Sequence, residues 1–173
     1  CGVDWHRIPT GPGSAFHVAG AERLRFEALP LRSAAPPYSP HRNDPHPGDN
    51  IGVLIRDQAT GRSVFYAPGL GEIEPHVGEA MRGADCVMVD GTFWTDDEMI
   101  RLGISKKRAR EIGHLPQSGP GGMIEALGAL PRPRKILIHI NNTNPILDEA
   151  SPERAQLADA GIEVAFDGMR IEL

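Results

Sequence analysis

Arg134-Lys135-Ile136-Leu137-Ile138-His139-Ile140-Asn141-Asn142-Thr143-Asn144-Pro145 sets one histidine into a run of isoleucine and leucine, between Pro133 and an asparagine-rich turn. The run is too short and too rich in β-branched residues for a helix, so it predicts a buried strand ending at Asn141. Ile136, Ile138 and Ile140 then share one face, and Leu137 and His139 the other. An imidazole at the exit of a buried strand, followed by amides and a hydroxyl, is placed to offer a ligand or a base to a cleft. A core imidazole satisfied by a hydrogen bond is the competing reading.

Working outward, apolar strands and helices alternate on both sides of this run. Upstream, Asp85 to Asp90 reads as a second buried strand with Asp90 at its carboxyl end. An acid there either ligates, accepts a proton or caps the next turn. Between the two strands, Thr95 and Glu98 have capping-box spacing for a short helix. A basic helix from Ser105 to about Ile112 is expected next, presenting Lys106, Lys107, Arg108 and Arg110 to solvent. It runs into a glycine-dense loop, residues 113–122, which opens a helix over Met123 to Leu130. The amides of such a loop can hold an anion, although no P-loop spacing is present. His114 in this loop is a candidate catalytic group, or an imidazole bonded to a nearby carbonyl. Downstream, Ser151-Pro152-Glu153 caps a helix that stops at Gly161. Two short strands, Ile162 to Ala165 and Met169 to Glu172, are expected around Asp167-Gly168.

Nearer the start, the patterns predict strands at Val3 to Ile8 and Arg23 to Leu31. A hairpin of Ile51 to Arg56 with Arg62 to Ala67 follows, then a helix over Glu74 to Gly83. Residues 33–50 carry five prolines and form a long loop. His41, Asp44, His46 and Asp49 within it can be read as metal ligands, but the prolines spread them along the chain. A role in lining or covering a site suits them better.

The 173 residues are about one domain, and 40% are apolar, enough for a sizeable core. With 18 basic against 23 acidic residues and a net charge of -5, the chain does not read as a nucleic-acid partner. No apolar run approaches the roughly 18 residues of a membrane span, and no signal-peptide pattern opens the chain. Two cysteines, Cys1 and Cys86, provide no disulfide framework. The expectation is a cytoplasmic α/β protein. Because the first residue is Cys1, the chain reads as a portion of a longer protein.

Four motifs in fixed order carry a family resemblance: Tyr66-Ala67-Pro68-Gly69-Leu70-Gly71, Val89-Asp90-Gly91-Thr92-Phe93-Trp94, Gly113-His114-Leu115-Pro116-Gln117-Ser118-Gly119 and Ile138-His139-Ile140-Asn141-Asn142-Thr143-Asn144-Pro145. With these the chain resembles the metallo-β-lactamase superfamily, and within it the branch serving pyrroloquinoline quinone biosynthesis. The resemblance implies an αββα sandwich, here mainly its C-terminal half, with a metal at the edge between two sheets. His139 is similar to the superfamily's last metal-binding histidine. The main motif, His-x-His-x-Asp-His, has no match here, nor has the cysteine cluster that binds a structural zinc in that branch.

Tail-processing ribonucleases of this fold place a bridging aspartate where this chain has Pro68 to Gly71, and no acid occurs there until Glu72. The missing bridge speaks against a two-zinc hydrolytic centre and for a single metal; histidine-and-carboxylate ligation with open positions suits iron, which the resemblance also implies, with zinc the alternative. The resemblance implies iron-dependent hydroxylation, with O2, of the tyrosine ring in a Glu-Tyr intermediate cut from a precursor peptide. A carrier of the quinone or its precursor to the periplasm is the second reading, with Arg42 the obvious cation for an acidic ligand. A zinc hydrolase is the third. In the first reading His139 ligates the metal, Asp90 ligates it, orients a ligand or accepts a proton, and His114 donates a hydrogen bond or proton to substrate or metal-bound oxygen. Tyr38, His46, Asp49, Asn141 and Asn142 are the candidate substrate-binding residues. The isolated 173 residues are expected to be inactive, with one sheet face exposed and open to homo-oligomer formation.

Overall fold

A computed structural model describes every residue except 1, 5, 12, 34, 36, 37, 42, 43 and 45. It contains one seven-stranded mixed sheet whose strands lie in chain order. The strands are β1 (Ala15–Phe16), β2 (Leu24–Pro30), β3 (Ile51–Asp57), β4 (Ser63–Ala67), β5 (Cys86–Asp90), β6 (Arg134–Ile138) and β7 (Ile162–Val164). β1 to β4 pair antiparallel, as hairpins allow, and β4 to β7 pair parallel. Each parallel step is spanned by helix: α1 (Pro75–Gly83), then α2 (Glu98–Arg101) and α3 (Met123–Gly128), then α4 (Pro152–Asp159).

Because every crossover moves the sheet one strand further in the same direction, crossovers of one hand lay all their helices on one face. The core records this. Phe65, Ala67, Val87, Val89, Leu137 and Val164 share that face through their register and pack with Val77 and Met81 of α1, Met123 and Leu127 of α3 and Leu157 of α4. Each fully buried side chain of this size contributes about 1.5–3 kcal/mol relative to exposure. The opposite face is also apolar. Phe26, Ile55 and Val64 lie in register, as do Val53, Tyr66 and Met88, and none of these six is fully buried. The helix residues of the core cluster pack on the first face, giving one sheet-and-helix layer pair of an α/β sandwich, while on the opposite face Cys86 and Ile136 are fully buried.

The structure departs from the sequence reading at several places. Among the described residues of 3–8 there is no strand, and β1 forms instead at Ala15–Phe16, where Phe16 stacks on Phe26 with ring centroids 5.5 Å apart. The basic helix is reduced to a single 3-10 turn at Arg110–Ile112. Asp96 explains this, because it draws the segment inward, accepting from the Arg110 amide at 3.1 Å and the Arg108 guanidinium at 3.3 Å. No capping box forms at Thr95. Glu98, which was to reach back to it, turns inward to bind Trp94 and Thr143. No strand forms over Met169 to Glu172, so the last hairpin is absent. The hairpin, α1, β5 and α4 lie where expected, and Ser151 caps α4 by accepting from the Arg154 amide at 3.1 Å.

Cys86 is buried at the start of β5, and burial pushes its thiol up to about 11. The neutral thiol is favoured in the fold, so its stabilising contribution is present below the ordinary thiol range and is lost as pH rises toward about 11. In a Cys1→Ser background, Cys86 should resist a disulfide reagent at neutral pH until denaturant is added. Prompt labelling of native protein would contradict this packing.

Candidate metal centre

The parallel strands bring three chain segments to one edge. β4 ends at Ala67 and runs into the turn Pro68 to Gly71, β5 ends at Asp90, and β6 ends one residue before His139. Ligand sites in open parallel sheets form at such carboxyl ends. Asp90 is fully buried, and its carboxylate is saturated with donors. Oδ2 accepts from the Leu70 amide at 2.9 Å and His114 Nδ1 at 2.7 Å; Oδ1 accepts from the Thr92 amide at 2.9 Å and the Thr92 hydroxyl at 2.5 Å. A buried carboxylate without such partners would cost several kcal/mol.

His139 does not continue the strand. Its φ is +56°, the left-handed region, and it is the one non-glycine residue with positive φ among the described residues. Such a conformation costs on the order of 1–3 kcal/mol and is concentrated at functional sites. It breaks the alternation with Leu137: Leu137 stays in the core while the His139 ring is exposed at the sheet edge. His114 and His139 stack, centroids 5.4 Å apart and planes 20° apart, and the edge of Phe93 meets His114 at 5.7 Å. One potential ligand atom from each of Asp90, His114 and His139 lies within 4.8 Å of the others. Imidazole and carboxylate are the donor types that zinc and iron take, and of the three the His139 ring is the one open to solvent.

A second ring of polar residues, not singled out from the sequence, holds this edge. Asn144, 3% exposed, donates to the carbonyls of Gly91 at 2.9 Å and Thr92 at 3.2 Å. Buried Gln117 donates to the same Gly91 carbonyl at 2.5 Å. Gly91 is required here: a Cβ would lie 2.9 Å from the Ile138 carbonyl oxygen and from the Leu137 Cβ. Buried Glu98 accepts from the Trp94 amide and the Thr143 hydroxyl, and Thr143 in turn accepts from the Asn141 amide. The sequence signal for these residues is weak; Thr92, Gln117 and Asn144 lie inside the four motifs but next to residues with more obvious chemistry.

The expected substrate-binding residues are less concentrated. The Asn141 side chain is engaged with Thr143 and with the Met99 sulfur, while Asn142 is exposed. Tyr38 is 88% exposed. Asp49 accepts from the His46 amide at 2.7 Å, and His46 meets the His41 ring edge-on at 4.9 Å. His46 lines a cleft of about 280 Å3 with Pro30, Leu31, Arg32, Glu74 and His76, a lining that includes none of the metal-centre residues. The proline-rich loop reaches the centre's surroundings through Ser33, whose hydroxyl donates to the Gly113 carbonyl at 3.3 Å. Arg42 lies outside the described residues. The anion reading of the glycine loop is not met: the Gly121 amide donates to Glu125, and those of Met123 and Ile124 to the carbonyls of Pro116 and Gln117. Among the described residues, the loop ligands His41, Asp44, His46 and Asp49 form no three-ligand group.

A family model for the beta-lactamase superfamily domain matches residues 1–140, and the chain belongs to that superfamily. Among curated relatives, the coenzyme PQQ synthesis protein B of Methylococcus capsulatus is 62% identical over 173 residues, and that of Azoarcus sp. 64% over 174. Each match covers 100% of this chain and 57% of the relative, so the chain spans just over half the length of the curated relatives it matches. Among solved structures, Zn2+-bound PqqB from Methylobacterium extorquens superposes with a TM-score of 0.82 at 30% identity, covering 92% of this chain and 53% of that one. The short form of human tRNase Z, at 18% identity and a TM-score of 0.52, shares the fold. No helix among the described residues is long and apolar enough to cross a membrane.

Asn144→Ala should remove the two bonds that clamp the Gly91-Thr92 segment. The expected loss is about 2 kcal/mol, or roughly 4–8 °C in Tm, from the removal of two buried hydrogen bonds, each carbonyl keeping one other donor. Thermal unfolding checks this, and an unchanged Tm would show that the segment is held without Asn144.

Proposed function

We propose that this chain supplies part of the metal centre of a cytoplasmic enzyme of pyrroloquinoline quinone biosynthesis, an oxygenase acting on the tyrosine ring of a small Glu-Tyr-type substrate. The clustering of Asp90, His114 and His139 at the sheet edge carries the reading. Identity of 62–64% across the chain to the curated synthesis proteins named above supports the pathway. The metal, iron in this reading, would be held by His139 and would supply the activation of O2.

The chain's own residues then have separable tasks. Asp90, with both oxygens occupied, orients rather than ligates: it fixes the His114 ring with the proton on Nδ1. His114 Nε2 is left to take a proton from substrate or return one. Phe93 and the His139 ring bracket His114 and limit its rotation. Asn141 and Asn142, on the loop just beyond His139, lie where they can meet the substrate. The outer sheet face, with Phe26, Val53, Ile55 and Tyr66 in view, is the surface through which a homo-oligomer would form.

The turn after β4 argues against a two-zinc hydrolase. Leu70 is fully buried there and turns its amide onto Asp90, while Glu72 is exposed and faces Arg32 at 3.4 Å. No carboxylate of this turn is available to bridge two ions.

The test is metal analysis of the whole protein, followed by aerobic incubation with Glu-Tyr dipeptide and mass spectrometry. A gain of one or two oxygen atoms with iron loaded is expected. No gain under any metal loading, with tight quinone binding instead, would replace the enzyme with a carrier. His139→Ala should abolish stoichiometric metal; full retention of metal and turnover would remove His139 from the ligand set.

A further inference from the structure

The hydroxyl of Thr92, 5% exposed, sits between all three residues of the centre. Its Oγ lies 2.5 Å from Asp90 Oδ1, 2.9 Å from His139 Nδ1, 3.1 Å from His114 Nδ1 and 3.0 Å from the His139 carbonyl oxygen. A hydroxyl has one proton and two lone pairs, so it cannot donate to both available oxygens. The carboxylate is nearer, and a bond to a carboxylate is the stronger of the two. With its proton directed to Asp90, the Thr92 oxygen can serve a ring nitrogen only as acceptor.

His114 Nδ1 has its own closer acceptor in Asp90 Oδ2, at 2.7 Å. That leaves His139 Nδ1 as the donor to Thr92, and a neutral imidazole that donates from Nδ1 has its lone pair on Nε2. We infer that Thr92 is a positioning residue which relays the polarity of Asp90 to His139. It fixes His139 as the Nδ1-H tautomer and turns Nε2 outward as the ligand atom. One buried carboxylate thereby sets both imidazoles, His114 directly and His139 through a hydroxyl.

The alternative arrangement is distinct. If the Thr92 proton went instead to His139 Nδ1, the ring would carry its hydrogen on Nε2, the atom facing away from Thr92, and would have no outward lone pair. The left-handed backbone of His139 suits the inferred arrangement. It brings the ring's Nδ1 to 2.9 Å from the Thr92 oxygen, which is free to accept once its proton is directed to Asp90.

The tautomer itself does not depend on the metal-site reading; its consequence for ligation does, and the test separates the two. Long-range 1H–15N correlation spectra of metal-free protein, recorded where both imidazoles are neutral, are compared for wild type, Thr92→Val and Thr92→Ser. The wild type should show His139 and His114 as Nδ1-H. Thr92→Val keeps the shape and removes the hydroxyl; His139 should shift toward the Nε2-H form while His114, bonded directly to Asp90, stays as it was. Thr92→Ser should restore the wild-type pattern at His139.

Zinc affinity, by competition with a chromogenic chelator, should fall about tenfold to a hundredfold in Thr92→Val and return in Thr92→Ser. His139 found as Nε2-H in wild type would overturn the inference even if Thr92→Val did not fold, and so would an Nδ1-H pattern that survives Thr92→Val. Correct tautomer shifts with no change in zinc affinity would leave the relay standing and remove His139 from the metal.

Discussion

The carboxylate of Asp90 is the constraint on which this edge of the molecule depends. A buried charge with no partner costs several kcal/mol, and the fold meets that cost by converging on it. The turn after β4 offers an amide, the residue two positions on offers an amide and a hydroxyl, and the glycine loop before α3 offers an imidazole. These groups come from three segments that are distant in sequence. Their bonds to one carboxylate fix where each segment crosses the sheet edge, and hence where His114 and His139 meet.

The convergence is possible because β4, β5 and β6 run parallel and adjacent, so their carboxyl ends lie side by side. A chain that returned by hairpins would put alternate strand ends at opposite edges. The change from antiparallel to parallel at β4 is thus what makes the site. Gly91 completes the arrangement by letting the chain beyond β5 pass within bonding distance of β6, its amide donating to the Ile138 carbonyl at 2.7 Å. Asn144 and Gln117 then anchor the Gly91 carbonyl from two further directions.

Much of this was legible in the sequence, and what was not has physical causes. β2 to β6 and α1, which bury an apolar face, follow from periodicity, and α4, which buries Leu157, from its Ser151-Pro152-Glu153 start. The element over Ser105 to Ile112 misled because its composition favours helix while Asp96, a tertiary partner, bends it into turns. Glu98 misled for a related reason: a glutamate at capping-box spacing was instead buried to hold the loop beyond His139. Asp90, His114 and His139 could be named because titratable groups at the ends of apolar runs are costly. Thr92 and Asn144 could not, because a threonine or an asparagine in a turn has many ordinary local uses, and its long-range partners appear only once the strands are assembled.

His139 shows how the site arises from a departure from strand geometry. Continued as a strand, the chain would alternate, and the imidazole would point with Leu137 into the helix-covered core. There it would be a buried polar group needing a partner and shielded from any ligand. One left-handed residue at the strand's end redirects the ring to the open edge and brings its Nδ1 onto Thr92. The energetic penalty is modest, since histidine tolerates this conformation better than a β-branched residue would. It stays small because backbone bonds hold both sides of the turn, from the Gly91 amide to the Ile138 carbonyl and from the Asn141 amide to the Thr92 carbonyl. Isoleucine at this position would favour extended backbone and prolong the strand; histidine both allows the turn and supplies the nitrogen that the turn exposes.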